Sequence, residues 1–186
     1  FIFRKFTEMF TENNILTLPE GQFNVKTISF EKKDKSELFS IYTDWINLTQ
    51  KLKSIYARGI NLPEGLSESA FCIEMNCVRV VSGIPGANSS WDCYDLNNNK
   101  RVQVKACSIL PDLSSFGPKS QWDEIYFVDF FNEGKWDGTF NIYKIDSQTI
   151  YSHKVNANET MRDQQLDARR PRFSIRPISC KKVGIC

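Results

Sequence analysis

The stretch WDCYDLNNNKRVQVKACSI, from Trp91 to Ile109, limits the fold more than any other part of the chain. Its second half alternates strictly. Val102 and Val104 point one way, and Arg101, Gln103 and Lys105 point the other, which is the side-chain period of a strand over Arg101–Cys107. Trp91–Tyr94 reads as a strand as well. Asp95–Lys100 between them is a polar turn in which Asp95 can cap its own backbone. Two strands joined so closely pair as an antiparallel hairpin, and a hairpin of this polarity needs a sheet around it and layers to cover it.

The flanking sequence supplies both. Phe23, Val25, Thr27 and Ser29 alternate with their neighbours and predict a short strand up to Phe30. Asp34–Ala57 carries apolar residues at helical spacing, including Leu38, Tyr42, Trp45, Ile46 and Leu52. Asp34 or Ser36 can cap its start, and Gly59 sits where it should end. Pro63 and Gly65 then break the chain. Ser67 can cap a new helix with Ala70, Phe71, Ile73, Met75 and Val78 on its apolar face and Glu68 in its first turn. GIPGANSS (83–90) and the stretch from Pro111 to Lys119 read as loops, while Glu124–Phe131 and Thr139–Ile145 read as strong strands. NETMRDQQLDA predicts a short helix, stopped by Pro171. The expected fold is α+β, α/β/α-like: a mixed central sheet with flanking helices. A chain of 186 residues makes this one domain, 1–186, with a basic C-terminal element at about 153–182.

With 41% hydrophobic and 25% charged residues, a disordered or low-complexity chain is excluded. No apolar run reaches the ~18 residues of a membrane span. The sequence opens on Phe1 rather than Met, so residues upstream are expected. Phe1–Phe10 is interrupted by Arg4, Lys5 and Glu8, unlike a secretory signal. Six cysteines without a CxxC favour buried, reduced thiols and a cytoplasmic location over a four-cysteine zinc site or disulfides. His153 is the only histidine and lacks triad company, so Ser-His-Asp and Cys-His catalysis have no support. Net charge is +2, but Tyr151–Cys186 holds eight Lys/Arg against three acids while the remainder is −3. A basic segment on an acidic body suggests a polyanionic partner.

The hairpin also carries chemistry. Its ladder places Asp92 beside Gln103, with Lys105 on the same face as Gln103. Carboxylate, amide oxygen and ammonium together are what phosphodiester hydrolysis requires: oxygens for Mg2+, and a cation that positions water and offsets charge on phosphorus. Asp95 is the rival metal acid. Asp123, Glu124 and Asp129 read as solvent-side charges.

On these residues the chain resembles the PD-(D/E)XK nucleases, in the variant D-x10-Q-x-K with glutamine for the middle acid, and more narrowly the type II restriction endonucleases. GINLPEGLSESAFC is similar to their helix before the active-site hairpin, and NETMRDQQLDARRPRFSI to a basic C-terminal element of small members. The likeness spans roughly Arg58 to Ile175 and extends to members that cut short, GC-containing interrupted palindromes. It implies that Asp92 binds metal, with Gln103 and the Val104 carbonyl as further ligands. Lys105 would be the catalytic lysine and Glu68 an auxiliary acid on the preceding helix. Trp91 stands where the pattern has Pro, and the neutral Gln103 removes one negative charge.

The likeness implies Mg2+ as cofactor and double-stranded DNA as partner. It also implies cuts leaving 5′-phosphates at a short palindrome, a homodimer, and a companion DNA methyltransferase acting on the same site. DNA contacts are expected from Arg169, Arg170, Arg172 and Arg176, from Gln164, Gln165, Asn158 and Thr160, and from Lys119 beside Ser120. Tyr42, Trp45 and Tyr56 are expected in the dimer contact. The alternatives are a repair or junction-resolving nuclease of the same superfamily, a catalytically decayed DNA-binding module, and a secreted disulfide-linked binding protein.

Overall fold

The structure, a computed structural model, describes residues 11–178 and 181–185. The readings placed on Phe1–Phe10, Cys180 and Cys186 lie outside these residues. Among these described residues, ten strands and four α-helices follow in chain order. They are β1 (Thr11–Leu18), β2 (Gly21–Ile28), α1 (Lys35–Ser54), α2 (Glu64–Met75), β3 (Val78–Val80), β4 (Cys93–Asp95), β5 (Lys100–Cys107) and β6 (Ser114–Ser115), then β7 (Glu124–Asp129), β8 (Asn141–Ile145), α3 (Ser147–Ser152), α4 (Met161–Leu166), β9 (Arg172–Phe173) and β10 (Lys181–Ile185). The main sheet has the order β1-β2-β3-β4-β5-β7-β8-β10, and β6 pairs with β9. Every neighbouring pair is antiparallel except β5 and β7, which run parallel from Val102↔Glu124 to Cys107↔Asp129. This is the expected α+β architecture, a mixed sheet flanked by helices.

The alternation in β5 sorts the core into two layers. Val102 and Val104, with Tyr126 and Val128 of β7, pack under Phe71 and Cys72 of α2 and Tyr42 and Trp45 of α1. Cys107, Ile125 and Phe127 face the opposite way, against Phe116, Ile150 of α3, Met161 of α4, and Phe173 and Ile175. A parallel pair needs a crossover connection. Here residues 108–123 supply it, and Phe116 and Trp122 of that connection fill the second layer. A third cluster, around Leu16, Val25, Trp91 and Tyr94, covers the β1–β4 end.

Several expectations need correction. The helix placed at Ser67 starts at Glu64 after Pro63, and the Ser67 hydroxyl bonds back to the Glu64 carbonyl at 3.0 Å, so Glu68 lies beyond the first turn. That helix stops at Asn76, whose left-handed backbone (φ 53°) suits a C-cap, so Val78 begins a strand instead of extending the helix. α1 ends at Ser54, and Asp34 gives it no side-chain cap: its carboxylate takes the Glu31 N–H. Gly59 terminates nothing. It packs on Thr49, where a Cβ would come within 2.7 Å of a methyl carbon. Tyr42 and Trp45 are buried in the chain's own core, which leaves only Tyr56, fully exposed, for a partner. β1, β3 and α3 had no clear signal. Thr11–Leu18 shows no clean alternation, and the other two are three and six residues long.

Candidate active site

Asp92 is positioned by an irregularity where β4 begins. Cys93 is the ladder partner of Val102, yet the Asp92 N–H also donates to the Val102 carbonyl at 3.1 Å. Two residues of one strand thus meet one of the other, the count of a β-bulge, which re-aims a side chain. The Asp92 carboxylate turns onto β5. Its Oδ2 accepts the Val104 N–H at 2.8 Å and a hydrogen bond from the Gln103 amide. The same amide nitrogen lies 3.4 Å from the Val104 carbonyl oxygen. The three groups expected as oxygen ligands, Asp92, Gln103 and the Val104 carbonyl, therefore converge on one point, and an amide NH2 bridges two of their oxygens there.

Lys105 follows on β5. Its ammonium sits 5.3 Å from the centre of the Phe116 ring, and its charge favours the ionised form of Asp92. Burial is the larger influence on Asp92 and raises its pKa; Lys105 and the Val104 N–H oppose that. Asp95, the rival acid, is engaged in the turn: its carboxylate accepts the N–H groups of Asn97 and Asn98 at 2.9 and 3.2 Å and the Asn98 side chain at 2.7 Å.

Glu68 reaches the same neighbourhood from α2. Cys72 lies one turn further along that helix, and its sulfur is 3.4 Å from the sulfur of Cys93. Cys93 pairs across the ladder with Arg79. Residues four apart on a helix share a face, and so do cross-strand partners. Glu68 and Arg79 must therefore meet, and they do: Arg79 Nε bonds Glu68 Oε2 in a partly buried ion pair. Burial first, then the charge of Asp92, pushes the Glu68 carboxyl up to about 7 despite that pair. Sequence reasoning missed Arg79 because β3 is too short to announce itself.

The donor set suits a hard cation. Among the described residues no three His, Cys, Asp or Glu side chains are grouped to hold a metal. Mg2+ does not require that: it is commonly held by one or two carboxylates with water and substrate phosphate. Asp92 and Glu68 supply two carboxylates, and the amide NH2 lodged between Asp92 Oδ2 and the Val104 carbonyl marks a place of negative potential. Cys72, Cys77, Cys93 and Cys107 are buried free thiols, as expected, and burial raises the pKa of the last three.

The C-terminal residues divide. Gln165 is 7% exposed and its amide donates to the carbonyls of Gly117 and Ser120; Gln164 is buried and bonds Glu159. These two fix α4 in place and do not face solvent, correcting their expected role as readers. Thr160 caps α4 in a reciprocal pair with Asp163. Arg169 bridges Glu159 and Asp167, and holds the Glu159 carboxyl down to about 2. Arg176 pairs at 3.1 Å with Asp129, which is 2% exposed and not the solvent-side charge expected. Asp123 and Glu124 also pair, with Arg101 and Lys144. Arg170, Arg172 and Lys119 are exposed and form no ion pair among the described residues, and Asn158 is exposed as well. Arg162, overlooked in the sequence, is exposed over the Tyr151 ring at 5.5 Å. It rims an open cavity of about 640 Å³ with Arg101, Trp122, Gln148 and Thr160. Asp112, also overlooked, is buried and accepts the N–H groups of Ile175 and Arg176, tying the segment to the body.

Among the described residues no helix is long and apolar enough to cross a membrane. The family model described as Bsp6I restriction endonuclease matches residues 30–179. The type II restriction enzyme Bsp6I of Bacillus sp. (strain RFL6) is 33% identical over 152 residues, which is 78% of this chain and 82% of that enzyme. No solved structure matches.

Proposed function

The chain belongs to the Bsp6I restriction endonuclease family, and from that premise we propose that it is a Mg2+-dependent type II restriction endonuclease of the PD-(D/E)XK kind. The observation that supports this most is the convergence of Asp92, Gln103 and the Val104 carbonyl on one point, with the charge of Lys105 felt at Asp92.

Asp92, the Val104 carbonyl and the Gln103 amide oxygen, after the amide turns over, are the residues that would hold Mg2+, with Glu68 as the second carboxylate. Bound there, the metal supplies a Lewis acid for the phosphate and lowers the pKa of a water. Lys105 would orient a water for in-line attack and offset negative charge growing on the phosphoryl oxygens. Water adds to phosphorus as the P–O3′ bond breaks; the water gives up a proton to solvent and the departing 3′ oxygen takes one from solvent, giving a 5′-phosphate and a 3′-hydroxyl. Arg170 and Arg172, with Arg162 and Lys119, neutralise backbone phosphates, and Asn158 lies on the same basic element of a single nuclease domain. A two-fold dimer would place one site on each strand of a short palindrome. In a cytoplasmic setting, a methyltransferase of the same specificity protects the host's own sites.

The test is incubation of the protein with a long duplex DNA and Mg2+, with and without chelator, followed by sequencing of the ends. Discrete fragments sharing one palindromic end sequence are expected, and chelator abolishes them. Structure-selective nicking would favour a repair or junction-resolving enzyme. Binding without any cleavage would indicate a decayed site.

A further inference from the structure

The ion pair between Glu68 and Arg79 sits where the proposed chemistry needs a carboxylate. Both residues are there by construction: Glu68 one helical turn before Cys72, Arg79 across the ladder from Cys93, with the two sulfurs in contact between them. The Arg79 side chain is three-quarters buried, and its guanidinium runs along the first turn of α2, where a Cβ on Gly65 would be 3.8 Å from it. Two further acids share the neighbourhood: Asp92 acts on Glu68, and Glu64 on both. Because Gln103 is neutral, Glu68 is the second carboxylate a cation at Asp92 can draw on. In the free protein that carboxylate already has a cationic partner.

We infer that Arg79 is a positioning residue that competes with the metal for Glu68, so that the protein binds Mg2+ weakly until a DNA phosphate draws the guanidinium away. This rests on the metal site proposed above. Each ligand takes one member of the pair: the cation takes Glu68 and a phosphate takes Arg79. Binding of either releases the partner the other needs, so the two affinities rise together by the same factor. A ready-made, partly buried pair is a suitable two-state element, because separating it without replacements leaves both charges poorly solvated.

The competition makes a prediction of unusual sign. Arg79→Met removes the rival cation and should tighten binding of Mg2+ alone, without DNA, by about five-fold in a calorimetric titration. If Arg79 only braced the fold, its loss would loosen the site and weaken Mg2+. Glu68→Gln should weaken Mg2+, and the double variant Glu68→Gln/Arg79→Met should resemble Glu68→Gln, the gain having vanished with its carboxylate. The double variant also covers poor folding of Arg79→Met, since it removes both buried charges together. Should it bind Mg2+ more tightly than Glu68→Gln alone, Arg79 does not act through Glu68 and the inference is overturned. Unchanged or weaker Mg2+ binding in Arg79→Met, with binding retained in the wild type, overturns the inference and leaves the metal site standing. No Mg2+ binding in any of the proteins overturns both.

Discussion

Around Asp92, five ionisable side chains (Glu64, Glu68, Arg79, Asp92 and Lys105) act on one another in a partly buried space, and burial raises the pKa of the two inner acids. From Thr160 to Ile178 the charges behave differently: Arg169 and Arg176 pair with Glu159, Asp167 and Asp129, and Thr160 with Asp163. The first region pairs Glu68 with Arg79 yet leaves both acids raised by burial, an arrangement in keeping with the cation and phosphate site proposed above. The second pairs two of its five arginines within the chain, and Arg162, Arg170 and Arg172 remain to meet a polyanion. A count of basic residues overstates what that segment offers DNA, while a count of acids understates the tension around Asp92.

The sharpest way to break the comparison is Lys105→Ala. Cleavage should fall by about a thousand-fold or more, with melting temperature and DNA binding largely kept. Normal cleavage by this variant would leave the inner cluster without catalytic meaning. Next in size, the pair Arg170→Ala/Arg172→Ala should weaken DNA binding and flatten the plot of log affinity against log salt by about two units, roughly one per phosphate contact. Arg169→Ala should change that slope little, because its charge is already matched. Equal slopes for the two sets would erase the distinction between paired and unpaired arginines.

Arg176→Ala should act on stability instead, removing about 1–3 kcal/mol by taking a charged partner from buried Asp129. Chemical denaturation measures it. A smaller effect lies in pH. With the Glu68 carboxyl near 7 in the folded metal-free protein and near 4.5 unfolded, the folded state holds more protons between those values. Stability is therefore greatest below about pH 4.5 as far as this group is concerned, and is lost as pH rises through 7. Glu68→Gln should flatten that decline in melting temperature between pH 5 and 8. A wild type equally stable across that range would show that Glu68 titrates normally.

Much of the framework was legible in the sequence because it rests on periodicity. β5 alternates, so Gln103 and Lys105 could be placed together and Val102 and Val104 assigned to the opposite layer. Asp95 announced its turn by its run of asparagines. α1 declared itself by helical spacing over 20 residues. What escaped depends on partners distant in the chain. Arg79 lies on a three-residue strand whose face is set by Cys93. Asp129 and Asp112 look like surface acids until the C-terminal segment folds over them. Gln164 and Gln165 carry polar side chains in a basic stretch, and only the packing of α4 on the connection before β7 shows that they hold structure together.

The carboxylate of Asp92 stands in for a rung of the sheet: it accepts the backbone N–H of Val104 on β5. Removing the side chain would take away a proposed metal ligand and the acceptor of the Val104 N–H in one stroke. Alanine at this position confounds chemistry with scaffold. Asparagine keeps an acceptor for Val104 while removing the charge and turning one oxygen into an NH2 donor, so it is the replacement that comes nearest to asking a catalytic question. Any lineage of this fold that discards the nuclease activity has the same reason to keep an oxygen here.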